Sequence, residues 1–248
     1  NSCTACAAGT HAVANAARLV ATGRCDVMIA GGSEAAFVPT ALAGFTNMTA
    51  FSSAGISRPF DADRDGFVMG EGAGILVLEE WETAIDRGAT IIAEVLGGAS
   101  TADAHHITAP APGGAGAVAC MELAMEEAGV TAAEIGHINA HGTSTPLNDM
   151  AEARAMEKVF GTPGPLVTST KGITGHALGA AGALEAVALA LSLQKALIPP
   201  TAGYTTPDPE MPPINLVLGG ATPWEPGPSL SNSFGFGGHN GTLVMGPV

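Results

Sequence analysis

Apolar residues recur along this chain at two alternating spacings, one helical and one strand-like. Over residues 7–22, Val13, Ala16, Ala17 and Val20 share one face of a 3.6-residue period and Gly23 follows as a stop, which predicts a helix. Residues 27–30 form a short apolar run that predicts a buried strand entering a turn at Gly31-Gly32. Residues 44–70 hold Ser52-Ser53, Gly55 and Arg58-Pro59 and predict a long loop. A strand over 75–78, a helix over 80–87 stopped by Gly88 and a strand over 91–96 come next. A second series begins with a helix over 115–128 ahead of Gly129 and a strand over 135–140 leading to His141. It continues with a helix over 148–159, a strand over 165–169 leading to Lys171, and an Ala-rich helix over 177–194. The Pro-rich stretch 199–213 predicts a connecting loop, and Val217, Leu230 and residues 242–245 predict closing strands.

This alternation predicts a layered α/β fold. No low-complexity linker divides the chain and no sequence repeat is found, but two successive α/β series are compatible with a duplicated structural unit. Composition agrees: 46% hydrophobic, 13% charged and 34 glycines suit a compact enzyme in which small residues let helices lie close to a sheet. The same balance excludes disorder, which needs high charge and little to bury.

No apolar run approaches the roughly 20 residues of a membrane helix. The first residues lack the basic-then-apolar pattern of a secretion signal, so the chain reads as cytoplasmic. A net charge of −14 with only nine scattered Lys and Arg argues against a nucleic-acid partner. The chain opens at Asn1, without Met, immediately ahead of a candidate nucleophile. Enzymes do not normally place such a group on a fraying terminus, so a longer parent chain is expected.

Cysteines stand at 3, 6, 25 and 120 and read as free thiols rather than a disulfide framework. Cys3 and Cys6 have C-x2-C spacing, but Cys25 and Cys120 do not supply the second ligand pair that a zinc site would need. Cys6 is predicted at the start of the first helix, where the dipole and free N–H groups favour thiolate. A thiolate there could carry an acyl group as a thioester; a small buried structural cysteine is the alternative. Downstream come Ala140-His141-Gly142-Thr143-Ser144-Thr145, Ser169-Thr170-Lys171-Gly172-Ile173-Thr174-Gly175-His176 and Asn232-Ser233-Phe234-Gly235-Phe236-Gly237-Gly238. Both histidines follow strand-like segments, where α/β folds usually place reactive groups. Residues 70–74 resemble part of a dinucleotide fingerprint but lead into a strand rather than a helix, and 113–116 precede a helix but lack the Gly-Lys-Ser/Thr ending of a phosphate loop. No nucleotide or metal cofactor is implied.

These blocks resemble the Cys–His–His signature of the β-ketoacyl-acyl carrier protein synthases, in the thiolase-like superfamily. Residues 30–35, 57–61, 65–74 and 179–182 are also similar to the family, so the resemblance runs essentially from Asn1 to the C-terminus. The run Thr145-Pro146-Leu147-Asn148-Asp149 and the Ser169-Thr170-Lys171 block look most like the elongating synthase II class.

The resemblance implies a thiolase-like α-β-α-β-α fold of two duplicated βα halves. Residues 1–90 would be the remainder of an incomplete first half, and 91–248 the second. It implies that Cys6 takes an acyl chain from acyl carrier protein. His141 and His176 would stabilise the enolate as malonyl thioester loses carbon dioxide, and Lys171 would tune the pair. Glu185 matches an acidic residue that interacts with this lysine. Counted along a helix it lies half a turn out of phase with His176, which leaves a solvated charge as the alternative. Phe236 matches a gating phenylalanine whose loop lends an oxyanion N–H. Thr143 and Thr145 would hold the phosphopantetheine arm, with Thr108 near the same channel. A catalytic role for His106 is not expected. The implied product is a 3-oxoacyl carrier protein two carbons longer, made by a homodimer when the chain is full length. A polyketide ketosynthase, or an inactive structural piece, are the alternative readings.

Overall fold

In a computed structural model describing all 248 residues, the first helical pattern becomes a 3-10 turn over Ala5–Ala7 running into α1 (Ala8–Ala21). Strand β1 (Val27–Glu34), helix α2 (Pro39–Asn47), strand β2 (Gly72–Glu79) and helix α3 (Trp81–Asp86) complete the first series. The second holds β3 (Glu94–Ala102), α4 (Ala115–Ala128), β4 (His137–Asn139), α5 (Pro146–Phe160), β5 (Leu166–Thr168), the short α6 (Lys171–Thr174) and α7 (Ala181–Lys195). Short strands β6 (Leu197–Ile198), β7 (Asn215–Leu216) and β8 (Thr222–Pro223) precede the closing pair β9 (Ser229–Gly235) and β10 (His239–Gly246).

One mixed sheet of six strands runs β3-β10-β9-β4-β5-β7. Its β3, β10 and β9 pair antiparallel, and β9, β4, β5 and β7 pair parallel. Helices α4 and α5 cover one face, with Met121, Met125, Ile138, Met156, Val167, Leu230 and Val244 in the core between them. On the other face α1 and α7 lie together, packed against the two-stranded β1–β2 sheet beyond. Val13, Leu189, Leu193, Leu243 and Met245 fill that second core, and Leu76 and Leu78 of β2 press on it. The layers formed by this chain are therefore sheet, helices, sheet, helices, in a thiolase-like arrangement.

Four expectations need correction. Gly31-Gly32 is not a turn: β1 continues through both residues to Glu34, paired antiparallel with β2. The reason is close packing, since a Cβ on Gly32 would stand 2.8 Å from the Gly179 carbonyl oxygen and one on Gly74 would stand 2.6 Å from the Leu184 nitrogen. Nor is β1 buried on both faces. Val27, Ile29, Ile75 and Val77 share the outward face and are 49–73% exposed. The loop expected over 44–70 begins inside α2, whose Phe45 packs on Phe51 and Phe67. Strand β3 starts later than expected because pairing with β10 defines it. It runs through Gly97-Gly98, where Ala128 and Ala14 of the flanking helices press against the backbone.

Candidate active site

Cys6 sits in the 3-10 turn ahead of α1, following Ala5 in a left-handed conformation at φ 48°. Its thiol is buried, and 170 residues on in sequence His176 brings Nε2 to 3.0 Å from Sγ. His141 completes the group: Sγ and one ring nitrogen from each histidine lie within 4.8 Å of one another. The two imidazoles meet nearly edge to face, with centroids 5.3 Å apart at 84°.

The helix-start argument for a thiolate does not hold here. Burial pushes the Cys6 thiol up to about 11, outweighing the Lys171 charge and the backbone N–H groups of Phe236 and Cys6 that favour the anion. The dipole of one helix cannot offset removal of the sulfur from water. Burial also holds both imidazoles well below the usual histidine range, and the Lys171 charge lowers them further. Neutral histidines at that sulfur can accept its proton.

Lys171 is buried at the start of α6. Its Nζ donates to the His141 carbonyl oxygen at 2.6 Å, approaches His141 Nδ1 at 3.4 Å and pairs with Glu185. Glu185 therefore faces the site. The phase argument counted helical turns from His176, whereas α7 begins only at Ala181, after a 3-10 turn over Leu178–Ala180. Burial raises the Glu185 carboxyl above its ordinary range and the Lys171 charge counteracts this.

Thr108, Thr143, Thr145 and Phe236 line a cavity of about 530 Å³ with Cys6 and both histidines. The Thr143 and Thr145 hydroxyls bond each other at 2.8 Å. His106 spends Nδ1 on the N–H groups of Thr108 and Ala109 and so shapes its own loop. Phe236 also lines a second cavity of about 650 Å³, shared with Cys6 and Leu178. Its loop joins β9 to β10 through Gly237 and Gly238, at φ 83° and 75°, which side-chain-bearing residues rarely adopt.

Two carboxylates escaped the sequence reading. Glu152 accepts from the N–H groups of His141 and Gly142, both at 2.8 Å, and Asp149 accepts from those of Phe60 and Ser144 at 2.8 and 3.1 Å. They hold a strained loop in which Gly142 and Ser144 have φ of 39° and 68°. The signal was present: Asp149, Glu152, Ala153 and Met156 occupy one helical face, so two acids stand on the buried stripe of α5. His11 was also passed over. It bonds Thr4 Oγ1 at 2.7 Å and the Asn240 carbonyl oxygen at 3.1 Å, joining the Cys6 turn to the strand after the Phe236 loop.

Beside Glu185, three buried oxygens lack hydrogen-bond partners: Glu185 Oε2, Asn139 Oδ1 and Ser231 Oγ. Asn139 and Ser231 are register partners on β4 and β9, and Asn139 Nδ2 donates to the Glu185 carbonyl oxygen at 3.2 Å.

Residues 2–84 match the family profile of the beta-ketoacyl synthase N-terminal domain, and residues 92–205 that of its C-terminal domain. The 3-oxoacyl-[acyl-carrier-protein] synthase 2 of Synechocystis sp. is 48% identical, covering 99% of this chain and 61% of that protein. The protein of the same name from Rhizobium meliloti is 50% identical, covering 98% and 59%. Among solved structures, a beta-ketoacyl synthase from Burkholderia phymatum superposes with a TM-score of 0.93 at 40% identity, covering 99% of this chain and 60% of that one. A type II polyketide ketosynthase in complex with its acyl-carrier protein superposes at 0.96 and 38% identity, covering 99% and 62%. The chain thus spans about 60% of the length of these relatives.

Proposed function

The chain belongs to the β-ketoacyl synthase family, and on that footing we propose that it carries the acyl-transfer and condensation centre of a 3-oxoacyl-[acyl-carrier-protein] synthase. Residues 1–90 are assigned to the half that bears the nucleophile and 91–248 to the half that bears the histidines. The observation that carries this reading is the approach of His176 Nε2 to Cys6 Sγ at 3.0 Å, with His141 beside them.

In the first step the Cys6 sulfur attacks the carbonyl carbon of an acyl thioester. Its proton passes to His176, the carbon–sulfur bond of the incoming thioester breaks, and the carrier thiol leaves with a proton. The backbone N–H groups of Cys6 and Phe236, which favour negative charge at the sulfur, suit the oxyanion that forms. In the second step malonyl thioester loses carbon dioxide. The imidazoles of His141 and His176 stabilise the enolate oxygen, and the enolate carbon attacks the Cys6 thioester. A carbon–carbon bond forms, Cys6 leaves as thiolate, and one proton taken up from solvent restores the thiol. Lys171, linked to His141 and paired with buried Glu185, holds positive charge where the negative charge develops.

Thr143, Thr145 and Thr108 in the 530 Å³ cavity are assigned to the phosphopantetheine arm, and Phe236, at the boundary of two cavities, to gating between them. Acyl carrier protein is the proposed partner and a homodimer the proposed assembly of the longer protein. The relatives' names favour fatty-acid elongation, while the polyketide ketosynthase neighbour at TM-score 0.96 keeps polyketide extension as the second reading.

The test is peptide mass spectrometry after incubation with an acyl-phosphopantetheine thioester. An acyl adduct on Cys6, absent in Cys6→Ala, is expected. An adduct confined to Cys3, Cys25 or Cys120 overturns the choice of nucleophile. A panel of fatty and polyketide thioesters then separates the two pathways by rate of adduct formation.

A further inference from the structure

We infer that Cys6, His141 and His176 also form a soft-metal site, and that zinc ion bound there reversibly blocks the thiol. The inference depends on the functional reading only in that the blocked sulfur is the one assigned to accept the acyl group.

One sulfur and two imidazole nitrogens, all buried, lie within 4.8 Å of one another, with the sulfur and His176 Nε2 at 3.0 Å. A tetrahedral zinc with bonds of about 2.3 Å to sulfur and about 2.0 Å to nitrogen sets its ligand atoms roughly 3.3–3.5 Å apart. The sulfur–His176 spacing is a few tenths of an ångström below that range and 4.8 Å bounds the other spacings, so side-chain adjustments of about an ångström complete the geometry. The two rings stand 5.3 Å apart between centroids, close enough to share one ion with the sulfur. The 530 Å³ cavity gives the ion an entry path and supplies the fourth position to water or to a carrier thiol.

The step balances simply. Zinc ion displaces the Cys6 proton to solvent, forming a zinc–sulfur bond with no change of oxidation state, since a coordinated thiol is deprotonated outright. Lys171 opposes the ion: its ammonium lies 3.4 Å from His141 Nδ1, where a structural zinc histidine would normally meet a carboxylate or carbonyl. The site is therefore weaker than a structural zinc site and is emptied by chelator.

Two measurements decide the matter. The chain is treated with zinc chloride, alkylated briefly with iodoacetamide, and each cysteine is quantified by peptide mass spectrometry. Saturating zinc is expected to slow alkylation of Cys6 about tenfold or more, with recovery on adding EDTA and little change at Cys3 and Cys25. Cobalt ion is then titrated in place of zinc. A 1:1 end point is expected, with a thiolate-to-cobalt charge-transfer band and the intense visible bands of four-coordinate cobalt. Cys6→Ser should abolish the charge-transfer band, and His141→Gln or His176→Gln, checked for native circular dichroism, should weaken binding roughly tenfold or more. Equal protection of all cysteines, a six-coordinate cobalt spectrum, or an unchanged spectrum in Cys6→Ser overturns the inference. Should Cys6 accept acyl groups yet gain no protection from zinc, the metal site alone falls. Should zinc protect a Cys6 that accepts none, the proposed function falls and the metal site stands.

Discussion

His176 Nε2 stands 3.0 Å from Cys6 Sγ, although the two residues are 170 positions apart in the chain. Because burial holds the imidazole well below its usual range and pushes the thiol up to about 11, the pair rests as neutral thiol and neutral imidazole. On the proposed reading, proton transfer to His176 would accompany attack on the thioester. His176→Ala is expected to slow acylation of Cys6 by about 10²–10⁴-fold, the usual contribution of a positioned base. The rate of adduct formation by mass spectrometry measures this, and an unchanged rate would remove His176 from the first step.

A thiol raised to about 11 has a distinctive pH profile. Alkylation of Cys6 by neutral iodoacetamide should climb about tenfold per pH unit and show no plateau up to pH 10, since the rate follows the thiolate fraction. A plateau at or below the ordinary thiol value of 9.0 would mean that the site stabilises the anion after all.

Glu152 holds the His141 loop through two backbone N–H groups. Glu152→Ala leaves both donors buried without partners and should cost about 2–4 kcal/mol in denaturant unfolding. Glu152→Gln, which keeps one acceptor oxygen, should cost less.

The same carboxyl makes a pH-linked prediction. Burial raises it from 4.5 to about 7, so between those values the folded chain keeps a proton that the unfolded chain has released. Its contribution to stability is fully present below pH 4.5 and is lost as pH rises through about 7. In Glu152→Gln that part of the slope of unfolding free energy against pH should vanish. An identical slope in both proteins would place the titration elsewhere.

Lys171 and Glu185 form a buried ion pair, with side chains only 1% and 2% exposed. Lys171→Met alone leaves the Glu185 carboxyl buried without its partner and should cost about 3–5 kcal/mol at alkaline pH, where that carboxyl must ionise, whereas Lys171→Met with Glu185→Leu should recover much of that loss. A double-mutant cycle in chemical denaturation reads the coupling directly. Both variants should lose condensation, so stability and activity separate in the double variant.

Much of this molecule was legible in the linear pattern. The period of 3.6 and the stop at Gly129 located α4 at residues 115–128, and the strand-then-histidine spacing marked β4 and His141. Cys6, His141, Lys171 and His176 stood out because their residue types are chemically reactive and sit at the ends of elements. Local pattern could not reveal the partner of Lys171: Glu185 looks like a surface charge until α7 packs against the sheet, whereas Glu152 stood on a legible apolar stripe. Nor could it reveal the protonation of Cys6. The helix-start argument weighs one local dipole, whereas the cost of removing a sulfur from water is set by every element that closes over it. The two glycines in β1 misled for a related reason. Glycine signals a turn when only the chain is considered, but Gly32 lies in an extended strand because the turn before α7 approaches too closely for a side chain. The sequence by itself determined the elements and the chemical types of the reactive groups, which depend on near neighbours. Tertiary structure alone decided their distances, charges and partners, which depend on residues brought together from far along the chain.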